Sequence, residues 1–272
     1  SGTITSGDVE RAKDVARKDA KPEPGKEEER ESDVRVITRA TYRLNGPGYL
    51  DATRPSKVWT IDASADTSQK PRRLTTGGFS EDNVSWAPDG QRIYFTSNRV
   101  KEPYYAAPDT NVFSVPAAGG DVQKAADVDG TINDYSLSPD GKRIAFVGSL
   151  NATPARSYDQ PDLLFADVGP TSTATNLTAA YYYDVDGGAT GDQHAPRGSQ
   201  PSSPIWDGST LIVKASDKGR VGLQKIDIAS KSVEPLTKGD EEVMSYTATA
   251  DAKTFALLQK NVLNTRRWDT RE

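Results

Sequence analysis

Three arginines and two tyrosines in one short stretch carry the sharpest chemistry in this sequence. Arg39, Arg43 and Arg54 sit in or beside TYRLNGPGYLDATRPS (41–56). A guanidinium is planar, and its fork of N–H donors matches the two oxygens of a carboxylate. If this loop faces the axis of the fold, Arg43 or Arg54 could grip the terminal carboxylate of a peptide. Tyr42 and Tyr49 would then line the wall. The competing reading pairs the arginines with Asp51 or glutamates at the surface.

Other reactive side chains are sparse. His194 is the only histidine, and there is no cysteine. A serine nucleophile on a strand-to-helix elbow needs Gly-x-Ser-x-Gly, and the chain contains none. His194 lies in a Gly-rich loop with no nucleophile signature beside it, so it reads as a loop histidine. The competing role is contact with a substrate. Asp184, Asp186 and Asp192 cluster in YYYDVDGGATGDQH (181–194). Oxygen ligands at that density can hold Ca²⁺, but the spacing does not follow an EF-hand loop. A polar loop is expected there, with no metal and no cofactor. Tyr181, Tyr182 and Tyr183 either contact a partner or anchor their own loop.

Composition narrows the class. The net charge of −5 over 272 residues argues against nucleic acid, which needs a basic face. Without cysteine, disulfides and thiolate metal sites are impossible. Zero cysteine fits a reducing, cytoplasmic compartment over a periplasmic one, and the chain looks bacterial. No apolar run approaches the ~18 residues of a membrane span. Residues 1–33 hold the charged run DVERAKDVARKDAKPEPGKEEERESD (8–33). Pro22 and Pro24 break any helix there. This segment reads as a linker or surface insertion.

From residue 34 to 272 the texture is strand and turn. VRVITRATYRL (34–44) alternates well enough for a long strand. The decisive feature is self-similarity. SWAPDGQRIYFTSNR (85–99) matches SLSPDGKRIAFVGSL (136–150), 51 residues later. Weaker copies are PIWDGSTLIVKASDKGR (204–220) and YTATADAKTFALLQKNV (246–262). A second element alternates with the first. KVWTIDASADTSQKPRRLT (57–75), NVFSVPAAGGDVQKA (111–125), DLLFADVGPTSTATNLT (162–178) and GLQKIDIASKSVEPLT (222–237) share one plan. Each is a strand, a polar turn and a strand ending in Leu-Thr or its equivalent. Asp-Gly supplies a tight hairpin turn. Two hairpins in ~45–50 residues make a four-stranded antiparallel blade.

These periods predict an all-β fold, a β-propeller with about five repeats visible. They read as part of a seven- or eight-bladed ring, with RRWDTRE (266–272) stopping where a further strand is due. Trp86, Ile93, Phe95, Ile144, Phe146, Trp206, Leu211 and Val213 are the expected inter-blade core. Residues 179–203 are too long for a hairpin and read as a loop insertion.

The sequence resembles the N-terminal propeller of prolyl oligopeptidase-family serine peptidases. The nearest branch is acylaminoacyl peptidase or dipeptidyl-aminopeptidase-like. DVRVITRATYRLNGPGYLD (33–51), KVWTID (57–62), RRLT (72–75) and WAPDGQRIYFTSNR (86–99) carry the resemblance. TNVFSVPAAGG (110–120), SPDGKRIAF (138–146) and NLT (176–178) add to it. Pro-Asp-Gly blades also occur in TolB-like propellers, which dock other proteins. The peptidase resemblance implies a C-terminal α/β-hydrolase domain that holds the Ser, Asp and His triad and is absent from this sequence. It implies a propeller that restricts access to short or N-acylated peptides and helps orient them. It also allows a homo-oligomer of the parent enzyme.

Overall fold

The computed structural model describes residues 37–44, 48–50, 54–63, 70–150, 160–187, 203–239 and 241–261. These residues form strands and turns, with one short 3₁₀ turn at Pro103–Tyr105 and no α-helix among them. Two small hairpins come first. β1 (Arg43–Leu44) pairs with β2 (Gly48–Tyr49), and β3 (Trp59–Thr60) pairs with β4 (Arg72–Arg73). The next four strands form one antiparallel meander: β5 (Asp82–Trp86), β6 (Arg92–Asn98), β7 (Thr110–Pro116) and β8 (Gln123–Ala126). A second meander repeats the plan with β9 (Gly130–Leu137), β10 (Arg143–Leu150), β11 (Asp162–Asp167) and β12 (Thr175–Asn176). The third holds β13 (Ile205–Asp207), β14 (Thr210–Asp217), β15 (Arg220–Asp227) and β16 (Val233–Pro235). A final hairpin, β17 (Glu241–Ala248) and β18 (Phe255–Asn261), joins the third sheet through one parallel pair, Val221 with Glu242. Among the described residues the repeat therefore shows three complete four-stranded blades, with the β3–β4 hairpin before them and the β17–β18 hairpin after them.

The sequence predicts a long strand over 34–44, and the structure is different. Residues 37–42 are not strand, and Ile37, Arg39 and Tyr42 are exposed. An alternating pattern forms a strand only where an adjacent edge supplies hydrogen bonds, and among the described residues of this segment only 42–44 meet one. Residues 34–36 lie outside the described residues, as does the charged segment 1–33.

The Pro-Asp-Gly turns are also wider than the two-residue hairpin expected of Asp-Gly. The N–H of Gly90 donates to the carbonyl of Ala87 (2.9 Å), and Ala87 N–H closes the loop on Arg92 (2.9 Å). Four residues, Pro88 to Gln91, span the gap. Gly90 sits at φ +70°, a conformation open to glycine without strain. Asp89 works through its side chain, accepting from the N–H of Gln91 (2.9 Å). The 138–143 turn repeats this, with Gly141 N–H on Ser138 (2.8 Å) and Asp140 accepting from Lys142 N–H (3.1 Å). The two-residue type does occur where the repeat is shortened. Asp207 pairs with Thr210 and Asp217 with Arg220, and both residues of Lys218-Gly219 have positive φ.

Packing follows from period-two alternation with both faces apolar. Ile93, Phe95 and Phe113 pack back onto Val58 and Leu74 of the first unit. Tyr94 and Val112, on the other face, meet Ile144, Phe146 and Leu164 of the next sheet. Ala145, Val147 and Leu163 meet Trp206, Leu211 and Val213. Ile212 and Leu223 then meet Val243 of the last hairpin. Each sheet is thus sandwiched between neighbours, as stacked blades require. Burying one such aliphatic or aromatic side chain contributes roughly 1.5–3 kcal/mol. All eight expected core residues lie in these seams, with Trp86 only partly buried.

The Leu-Thr endings have a structural purpose. The hydroxyls of Thr75, Thr178 and Thr237 accept from the N–H groups of Val58, Leu163 and Leu223 (3.0, 2.9 and 3.0 Å). The leucine before each threonine donates to the carbonyl of that same partner residue. One dipeptide therefore pins the β3–β4, β11–β12 and β15–β16 hairpins. Gly222 is needed at the third site, because a Cβ there would stand 2.8 Å from the Thr237 hydroxyl.

Candidate functional site

The arginine loop forms a small exposed hairpin. Leu50 N–H donates to Tyr42 O (2.9 Å), which brings the two tyrosine rings to 6.2 Å between centroids. The Arg43 guanidinium lies over the Tyr49 ring at 5.4 Å. Tyr42, Arg43 and Tyr49 are therefore one cluster, held by ring contact and a cation–π interaction. Arg39 and Arg54 are exposed on either side of it. Asp51 lies outside the described residues, so the competing Asp51 pairing falls there too.

A second site lies at the seam of the blades, and the sequence reading passed over it. In a propeller, one edge strand of each blade faces the central channel. Here β9, β13 and β17 are the first strands of successive units, and a cleft of about 400 Å³ opens among them. Ser136, Ser203, Pro204, Trp206, Tyr246 and Thr247 are among its walls. Hydroxyls stitch the strands together across it. Ser136 donates to Pro204 O (2.5 Å), and Tyr246 donates to Ser203 O (3.1 Å). Ser203 in turn donates to the Asp134 carboxylate (2.9 Å). Trp206, also in the wall, buries its indole Nε1 with no hydrogen-bond partner among the described residues.

Behind the hydroxyls lie two carboxylates and one ammonium. Burial pushes Asp134 above its ordinary value, and the bonds from Ser203 and the Tyr135 N–H pull it partly back. Asp186 is also raised, by burial first, with Lys214 opposing and Asp134 adding to the rise. Lys214 Nζ stands 3.3 Å from Asp186 Oδ1. That contact is an ion pair first, since Asp186 Oδ1 has no well-aligned hydrogen bond among the described residues. The Tyr246 hydroxyl is pushed up strongly by burial, with the Asp186 charge reinforcing it. At neutral pH this knot offers a neutral phenol, a paired lysine and acceptor oxygens. Such groups bind and orient; nothing in the knot is an activated nucleophile.

Asp184 and Asp186 sit at the start of the inserted loop, beside β14. Asp186 N–H bonds Lys214 O (2.7 Å), and Ser216 N–H bonds Asp184 O (2.9 Å). Among the described residues no group of acidic, histidine or cysteine side chains is arranged to hold a metal ion. Asp192 and His194 lie outside the described residues. The tyrosine triplet divides its roles. Tyr181 is the anchor, with its hydroxyl on Ser216 O (2.9 Å), and burial pushes that phenol up to about 12. Tyr182 points outward and is 86% exposed.

No protein-family model matches the chain, and no curated protein matches it in sequence. Its fold does have counterparts among solved structures. TolB from Acinetobacter baumannii superposes with a TM-score of 0.52 at 20% identity, over 78% of this chain and 44% of that one. A Mycobacterium tuberculosis puromycin-hydrolyzing peptidase gives 0.53 at 16% identity, over 78% of this chain and 32% of that one. An acylaminoacyl peptidase in complex with Z-Gly-Gly-Phe-chloromethyl ketone gives 0.52 at 16% identity, over 85% of this chain and 31% of that one. The chain thus spans less than half the length of each of these three proteins. At such identities the likeness shows the fold: this chain is built as a β-propeller of antiparallel blades.

Proposed function

We propose that this chain is the non-catalytic propeller portion of a prolyl oligopeptidase-family serine peptidase. In this reading it gates access to an α/β-hydrolase domain and orients short or N-acylated peptides for it. The Tyr42–Arg43–Tyr49 hairpin carries the reading. It belongs to the 33–51 segment that resembles the peptidase branch, and it holds a cation beside two exposed aromatic rings. Arg43 or Arg54 takes the peptide carboxylate, Tyr42 and Tyr49 flank it, and Arg39 adds positive charge to the approach. The sequence holds no Gly-x-Ser-x-Gly elbow, so this reading assigns catalysis to the hydrolase domain. The parent enzyme is expected in the cytoplasm.

Replacing Arg43 or Arg54 with alanine in the full enzyme should raise KM several-fold for peptides with a free C-terminus. Amidated peptides should be little affected. A KM for free-C-terminus peptides unchanged from the parent enzyme in both variants would end this assignment.

A second reading is a TolB-like propeller that docks other proteins. The TolB superposition favours it. Gene length separates the two readings, since only the peptidase reading requires a hydrolase domain downstream.

A further inference from the structure

Exposed apolar side chains are concentrated in one place among the described residues. Ile37, Tyr42, Tyr49 and Leu50 are 53%, 43%, 48% and 43% exposed, and all lie on the arginine hairpin or the segment leading into it. The others, at Tyr104, Tyr105, Tyr182, Leu236 and Leu258, are spread over the blades.

The pairing of the hairpin orders this surface. Arg43 stands opposite Tyr49, and the Leu50 N–H bond to Tyr42 O extends that register by one residue. Tyr42 is therefore opposite Leu50, and directly opposed side chains are neighbours on one face. The Tyr42 ring also comes to 6.2 Å from the Tyr49 ring, tilted by 36°. Leu50, Tyr42 and Tyr49 thus form one apolar strip. It ends under the Arg43 guanidinium, 5.4 Å from the Tyr49 ring centre. The described positions of this segment (37–44, 48–50 and 54) hold Arg39, Arg43 and Arg54 and no acidic residue.

A guanidinium tells a free carboxylate from an amide, but it does not read the side chain of the residue that carries the carboxylate. That side chain branches from the adjacent carbon. A residue held by Arg43 must therefore lay its side chain on the surface beside the guanidinium, which here is the strip. We propose that the strip selects peptides whose C-terminal residue is aromatic or large and aliphatic, and rejects those ending in lysine or arginine. The inference rests on the carboxylate-gripping role proposed above and names its substrates. A benzyl or isobutyl group leaves water against the two rings and Leu50. A basic side chain meets three like charges, and the Tyr49 face that could attract it already holds Arg43.

KM values of the full enzyme for acylated tripeptides that differ only in the last residue test this. The series ends in phenylalanine, leucine, alanine, glutamate or lysine, each as free acid and as amide. Among the acids, the phenylalanine and leucine peptides should have KM about fivefold or more below alanine, with lysine weakest. The order should shrink among the amides. Tyr42→Ser and Leu50→Ser should each flatten the order while acids stay preferred over amides, and Tyr42→Phe should keep both. Both side chains are exposed, so the substitutions spare the core. Acids preferred over amides with no order among phenylalanine, leucine and alanine overturns the strip and leaves the carboxylate reading standing. An order that survives Tyr42→Ser and Leu50→Ser belongs to another pocket and also overturns it. So does tightest binding of the glutamate peptide, because the arginines alone would then read the side chain. Equal KM for acids and amides throughout removes the carboxylate reading and this one with it.

Discussion

The first and third Leu-Thr anchors use the same dipeptide in opposite electrostatic surroundings. At the first, the Thr75 hydroxyl accepts from Val58 N–H and donates to Glu81 (3.1 Å). Glu81 is fully buried against Lys57, itself fully buried, at 3.0 Å. Lys57 also donates to Phe79 O, and Arg99 reaches the other Glu81 oxygen at 3.5 Å. At the third, the Thr237 hydroxyl accepts from Leu223 N–H beside Gly222, and no charged side chain bonds it among the described residues. Both anchors hold a hairpin, so the ion pair is not required for the fold. The second anchor is intermediate, with Thr178 donating to Asp162 (2.8 Å). Burial raises Glu81 even though Lys57, Thr75 and Arg99 all pull it down. Desolvation therefore outweighs the attraction, and this pair adds little net stability while making the site intolerant of change.

Breaking the pair should give the largest effect. Lys57→Met strands a buried carboxylate and should cost about 3–5 kcal/mol by urea unfolding. A loss under about 1 kcal/mol would mean that Glu81 is reached by water. The threonines come next. Thr75→Val leaves both Val58 N–H and Glu81 short of a partner, for about 1–3 kcal/mol. Thr237→Val strands one N–H and should cost less. The reverse order would show that the anchors draw their strength from packing instead of charge.

The turns allow a finer comparison. Ala252 stands where Gly90 and Gly141 stand in the better copies, at φ +54° against +70° and +68°. The hydrogen bonds survive: Ala252 N–H reaches Thr249 O (2.8 Å), and Asp251 accepts from Lys253 N–H (3.1 Å). Gly90→Ala meets open space, so its cost is conformational alone, about 1–2 kcal/mol. Ala252→Gly should regain part of that, since the buried methyl it removes offsets some of the relief. Matching melting shifts of opposite sign would support the turn alignment. A stabilising Gly90→Ala would sink it.

Repeat period, turn positions and core faces were legible because each rests on local patterning. Ile93, Phe95 and Tyr94 declare their two faces by alternation alone. The Leu-Thr ending was visible as a pattern, but its hydroxyl partner lies 14 to 17 residues away and had no sequence signal. The expected strand is missing over 37–42 because alternation says nothing about whether an edge is available. The seam of Asp134, Asp186, Lys214, Ser203 and Tyr246 was invisible for a related reason. Its members come from separate units and meet only when the blades stack. Asp134 occupies the same repeat position as Asn83, whose side chain reaches forward to Asn133 O of the next blade (3.1 Å), a hint that this position bridges blades.

That seam makes the smallest prediction and the one with an unusual sign. Asp134 titrates above its ordinary 3.8 because burial disfavours its charged form. The folded state therefore binds its proton more tightly than the unfolded chain does. Its contribution is full below 3.8 and is lost as pH rises through the elevated folded value. The turn carboxylates Asp140, Asp227 and Asp251 run the other way. Hydrogen bonds hold them low, so their contribution fades on acidification. Asp134→Asn removes one titration without removing the contacts. The amide oxygen keeps Tyr135 N–H, and the amide nitrogen donates to Ser203, whose hydroxyl can turn to accept. Urea midpoints measured from about pH 4 to 7 should then rise more steeply with pH in the variant than in the parent. Parallel pH profiles would show that Asp134 is solvated, and that the hydroxyls around the cleft form a wet lining instead of a sealed joint between blades.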